Sequence, residues 1–175
     1  MASDIRYPIG KFDPKPELTH DDRVQLIRQI ADAPAQMRQA VKGLREENLD
    51  VPYREGGWTI RQQVHHVPDS HMNAYIRFKL VMTEDHPTVK PYHEGLWSEL
   101  IDAKSLSIEP SLALLESLHE RWVTFLRSMK DADFARTFLH PESGPGKLDR
   151  LLQLYAWHGR HHIAHITSQR QRMGW

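Results

Sequence analysis

Four stretches of this 175-residue chain repeat their apolar residues at three- and four-residue spacing. That period belongs to helices with one buried face. The first carries Val24, Ile27, Ile30, Met37, Val41 and Leu44; Thr19 or Asp21 caps it and it runs to about Leu44. Pro34 inside it is expected to bend or break it. The second begins after Thr59 and carries Ile60, Val64, Val67, His71, Ala74, Tyr75, Phe78 and Met82, with a kink expected at Pro68. The third opens at Glu109-Pro110-Ser111 and places Leu112, Leu115, Leu118, Trp122, Phe125 and Met129 inward. The fourth runs from Lys147 to about Met173. Breaker-rich segments at 51–58, 85–93 and 141–146 separate them, and 94–103 reads as a short extra helix. Strand character is weak throughout, and only 136–139 is a plausible strand. Pro8, Gly10, Pro14 and Pro16 make residues 1–20 an extended arm laid on the body. Four long amphipathic segments without a linker or repeat predict an all-α fold. The expected architecture is a four-helix bundle with an extended N-terminal arm, formed by a single domain over residues 1–175.

Composition narrows the chemistry. Lys+Arg and Asp+Glu both number 23, so no large field favours nucleic acid or an anionic membrane. Cysteine is absent, which excludes disulfides, thiolate metal sites and cysteine nucleophiles. A metal site must be built from His, Asp and Glu. No stretch approaches a membrane-spanning length of apolar residues and no signal-peptide pattern opens the chain. The expectation is a soluble cytoplasmic protein.

Histidine is the exception to this bland composition. There are 12, and seven fall in two clusters: His65, His66 and His71 on the second helix, and His158, His161, His162 and His165 on the fourth. Residues four apart share a helix face, so His158/His162 and His161/His165 are each a potential pair of imidazole ligands. With about 100° per residue, His162 lies in the apolar face of the fourth helix and His158 on its border. His161 and His165 lie further round, so the inward pair is His158/His162. On the second helix the same reasoning favours His71 over His66 and leaves His65 on the solvated side, but a kink at Pro68 upsets any wheel drawn across it. Three neutral imidazoles suit Zn²⁺ or another first-row divalent ion. Only three protein ligands leave a position for water or substrate, the mark of a catalytic rather than a structural site. Such an ion lowers the pKa of bound water or holds a thiolate.

Several runs resemble one family. They are Tyr7-Pro8-Ile9-Gly10, Pro52 through Thr59, His65-His66, Asp69 through Asn73, Tyr75 through Lys79, Trp97 through Leu100, and Trp157-His158 through Ile166 with the closing Arg172-Met173-Gly174-Trp175. Across essentially the whole chain they look like the YfiT-like branch of the DinB superfamily. The resemblance implies a bundle with up-down-down-up helix order. It also implies a metal site of one second-helix histidine, eight residues after the Trp58 that opens that helix, and an H-x3-H pair on the last. Carried onto this chain, the ligands are His66, His158 and His162. The resemblance further implies a metal-dependent hydrolase, or an S-transferase of a low-molecular-weight thiol such as bacillithiol, and a homodimer.

Other residues have two readings each. Asp69, three residues after His66, either fixes an imidazole or acts as a base, or it is a surface carboxylate paired with Arg or Lys; the second is favoured. Arg77 either binds an anionic substrate group or, the favoured reading, forms a surface salt bridge. Trp58, Trp97, Trp122 and Trp157 are expected in the core rather than around a pocket. No G-x-S-x-G nucleophile motif or phosphate-cradling glycine loop occurs, and no general base is assigned. The expected protein is a metal-dependent enzyme holding Zn²⁺, or alternatively Ni²⁺, at His66, His158 and His162. It is expected to activate a metal-bound water against a small-molecule substrate. The alternatives are transfer of a small thiol and a non-catalytic metal-binding bundle.

Overall fold

The structure, a computed structural model, describes residues 4–175. Four long helices dominate: α1 (His20–Val41), α3 (Ile60–Thr83), α6 (Glu109–Ser128) and α7 (Leu148–Met173). Three short ones, α2 (Glu46–Leu49), α4 (Glu94–Trp97) and α5 (Ile101–Ser105), lie in the connections. Local chemistry sets the starts. Thr19 accepts from the Asp22 amide while the Asp22 carboxylate accepts from the Thr19 amide, and Thr59 and Gln62 make the same reciprocal pair. Gly43, with φ +78°, turns the chain after α1, which therefore ends at Val41 and short of Leu44. Pro34 and Pro68 are both buried inside helices that continue past them. Each removes one backbone donor, and the hydrogen bonds on either side keep the helix intact.

Cross-helix bonds fix the directions. Arg38 near the end of α1 pairs with Glu109 and Glu116 at the start of α6, so these two run antiparallel. Arg23 pairs with Asp149 at 2.8 Å where α1 and α7 begin, and Arg170 donates to Ala40 O where α1 and α7 end; these two run parallel. His65 meets Ser111 near the starts of α3 and α6, which makes that pair parallel too. The order is up-down-down-up. Helix α1 packs on α6 and α7, and α3 packs on the same two. The long connection 84–108, carrying α4 and α5, lets α6 return parallel to α3.

Two features differ from the sequence reading. The single expected short helix is two, α4 and α5. Thr137–His140 (β1) pairs antiparallel with Gly144–Lys147 (β2), a hairpin where a loop was expected. Its second strand, Gly-Pro-Gly-Lys, has no strand propensity of its own; pairing and the Phe138 ring lying against Gly146 hold it. The arm lies along α7: Lys15 exchanges two hydrogen bonds with Gln153, and Gly10 O accepts from Trp157 Nε1.

The core is divided. One apolar cluster gathers Ile30, Phe78, Trp122, Leu126, Leu148 and Leu152. The other gathers Met37, Ile60, Val64, Leu115 and Ile166. His71 on α3, His119 on α6 and His158 and His162 on α7 lie between the stretches that feed these clusters, and His66 sits beside Val67 at the edge of the second. A layer of imidazoles thus crosses the bundle between two greasy halves.

Candidate metal centre

The structure brings together His66, His158 and His162. One ring nitrogen from each lies within 4.8 Å of the other two. The closest approach is His66 Nε2 to His158 Nε2, 3.1 Å. A divalent ion about 2.0–2.1 Å from each nitrogen requires nitrogens about 3.3 Å apart, so small side-chain rotations suffice. Burial holds the His66 imidazole down to about 4 and those of His158 and His162 well below their ordinary value. All three are therefore neutral near pH 7, as ligands must be. His162 Nδ1 is buried with no hydrogen-bond partner. The donor set fits a first-row divalent ion.

The remaining histidines sort differently from expectation. His71, the wheel's preference on α3, is outside the trio. It sits behind His158, fully buried, with its Nε2 3.2 Å from His158 Nδ1 and its Nδ1 2.8 Å from His119 Nε2. His119 Nδ1 lies 2.6 Å from Ile30 O. The sequence signal for His119 is its place with Leu115, Leu118 and Trp122 on the inward stripe of α6. His65 was expected in solvent and is buried, bonded to Ser111 and Leu106. His161 and His165 are buried as well, their Nε2 atoms 3.0 Å apart, under a Trp157 ring stacked on His161 and a Tyr53 ring set edge-on to His165. The arm and the 51–58 loop cover that side of α7, and a helical wheel contains neither.

The trio opens onto a cavity of about 400 Å³. Trp58 and Trp157 wall it, against the expectation of core packing; Trp122 is the core tryptophan, and Trp97 is exposed beside Tyr92. Tyr7 from the arm and Tyr53 from the loop also line it, as do the exposed Arg6, Arg54 and Glu94. Gly57 allows this loop to fold tightly, since a Cβ there would stand 2.6 Å from Tyr53 Cε1. Gln63, one turn before His66, lines the cavity, is 1% exposed, and leaves both amide atoms without a partner. Its i, i+3 spacing from His66 was the sequence signal for it. A larger hollow of about 580 Å³ between the arm and the hairpin contains no histidine.

Two paired readings change. Asp69 is partly buried, its carboxyl pushed up to about 6 by burial, and it makes no salt bridge among the described residues. Arg77 is buried, donates to Lys90 O at 2.9 Å, and meets no carboxylate among the described residues. Neither is the surface ion pair expected of it.

Comparison with known proteins agrees with this architecture. The family model of the DinB superfamily matches residues 29–166. A Bacillus mycoides (strain KBAB4) protein named "putative metal-dependent hydrolase" is 55% identical over 172 residues, 98% of this chain and 99% of that one. A Bacillus cereus (strain 03BB102) protein of the same name is 54% identical over 173 residues, 99% of each chain. Among solved structures, YfiT from Bacillus subtilis, described as a "probable metal-dependent hydrolase with an unusual four-helix bundle topology", superposes with a TM-score of 0.95 at 48% identity, over 98% of both chains. With its crossed helix order, its divided core and its histidine trio, the chain belongs to the DinB superfamily.

Proposed function

We propose that this protein is a metal-dependent hydrolase of a small molecule, with His66, His158 and His162 holding Zn²⁺ or Ni²⁺. The carrying observation is that three neutral imidazoles converge at the floor of an open cavity and no fourth protein ligand joins them among the described residues. A bound ion supplies Lewis acidity to the reacting oxygen. The chain's own residues supply the rest. Trp58 and Trp157 exclude water from the cavity walls. The Gln63 amide, with one donor and one acceptor end free, orients a polar group above the trio. Arg54, which meets no carboxylate among the described residues, draws an anionic group to the mouth, whereas Arg6 is already paired with Asp4.

Arg54 at the mouth also favours a second reading, transfer of a small anionic thiol onto an electrophile. An assay separates the two. Untagged, zinc- or nickel-loaded protein is given p-nitrophenyl acetate in water alone, and separately chlorodinitrobenzene with cysteine, glutathione or bacillithiol. Hydrolysis predicts product without thiol, lost in His66→Ala. Conjugate formed only with thiol supports transfer, and no stoichiometric metal in the purified protein defeats both. The proposal includes a homodimer, to be tested by sedimentation.

A further inference from the structure

We propose that His71 and His119 are positioning residues that fix His158 with its hydrogen on Nδ1 and its lone pair on Nε2. The inference rests on reading the trio as a metal centre, and it follows from the order of bonds through the histidine layer.

The chain starts at a group with only one possible role. Ile30 O is a carbonyl and can only accept, so His119 Nδ1, 2.6 Å away, carries a hydrogen. A neutral His119 then has its lone pair on Nε2. His71 Nδ1, 2.8 Å from that atom, must be the donor. The lone pair of His71 is therefore on Nε2, and His158 Nδ1, 3.2 Å away, donates to it. His158 Nε2 is left as the acceptor atom, and it is the one facing His66 Nε2. No carboxylate bonds to any of these rings among the described residues, so nothing stabilises a doubly protonated imidazole in this layer.

Two consequences follow. The chain ends on a backbone carbonyl, which cannot release a proton, so it positions the ligand and does not conduct protons. It also makes the two facing ligands unequal. In the metal-free protein His66 Nε2 donates to His158 Nε2, so His66 would have to give up that hydrogen before the same nitrogen could serve as a ligand atom. His158 is already set. A Cβ on Gly159 would stand 3.4 Å from His71 Cε1 and from Ala33 Cβ, ordinary contact distance, so the α7 backbone runs close beside the His71 ring at the ligand turn.

The test has two arms. In the metal-free, ¹⁵N-histidine-labelled protein at pH 7.5, long-range ¹H–¹⁵N correlation should show His119, His71 and His158 all as Nδ1–H tautomers. An Nε2–H or mixed His158 overturns the proposal. The second arm measures Zn²⁺ affinity by competition with a chromophoric chelator. His119→Leu should weaken binding by about 10–100-fold, the range typical of lost outer partners. His119→Gln, whose amide oxygen can accept from His71 Nδ1, should restore most of it. Leu binding as tightly as wild type, or Gln as weakly as Leu, overturns the proposal. If wild type binds no Zn²⁺ or Ni²⁺ while the tautomers are as stated, the metal reading falls and the tautomer assignment stands.

Discussion

A histidine ligand and a histidine merely near a ligand differ by a few ångströms, and residue-by-residue substitution separates them. His66→Ala and His162→Ala each remove one of three nitrogens and leave a two-imidazole site. Both are expected to lose stoichiometric metal in elemental analysis of untagged protein. His161→Ala and His165→Ala are expected to keep it, since their paired Nε2 atoms lie outside the trio. Metal retained in His66→Ala would contradict the assignment. The sequence carried part of this distinction. The i, i+4 spacing and the apolar face of α7 singled out His158 and His162, and family likeness chose His66. Periodicity preferred His71 because the wheel measures depth, and His71 is indeed the deeper residue, fully buried against 5% exposure for His66. Ligation depends on which nitrogens converge, which depth does not report. His65, His161 and His165 were misread for a related reason. Segments distant in sequence, 4–19, 51–58 and 98–111, cover them, and no local period records that.

At the scale of elements, the caps and apolar stripes made all four long helices legible, with ends within a few residues. The exceptions follow from context. Pro34 suggested a bend or break and Pro68 a kink; neither breaks its helix, since a buried helix held by neighbours on both sides tolerates one lost donor. Strand β2 was invisible because its stability comes from pairing with β1 rather than from its own residues. At Gly159, α7 passes Ala33 of α1 and His71 of α3 at close range. A methyl group there reaches ordinary contact distance, so Gly159→Ala should change stability by less than about 1 kcal/mol, helped by alanine's helix propensity. Gly159→Val pushes branches into the His71 ring and should cost about 1–3 kcal/mol in denaturant titration. It should also weaken Zn²⁺ binding by displacing His71 from His158. A valine variant as stable as wild type would show that this helix contact is looser than the packing indicates.

For the molecule as a whole, the imidazole layer trades stability for a site. The unfolded chain takes up protons on histidine below about pH 6.5, while burial holds native His66 and His119 near 4. Between these values the unfolded state binds more protons, so this stability is present above pH 6.5 and lost as pH falls toward 4. Each such histidine should cost about 2 kcal/mol by pH 5. Asp69, with its carboxyl raised to about 6, acts in the opposite direction and offsets part of the loss. Denaturant titration of the metal-free protein should therefore show several kcal/mol less stability at pH 5 than at pH 7.5; a flat profile would mean the layer is open to water. Metal removal tests what the site is for. Binding stabilises the fold by about 2.7 kcal/mol when free metal exceeds Kd 100-fold, equivalent to a Tm shift of roughly 5–10 °C for a chain of this size. The apolar clusters on either side of the layer are complete without any ion. Chelation at pH 7.5 should thus lower Tm by that amount and leave the helical circular dichroism unchanged. Loss of the helical signal on chelation would instead make the ion a structural clamp and favour a non-catalytic bundle, because a site that must stay open for a substrate does not need to hold the helices together.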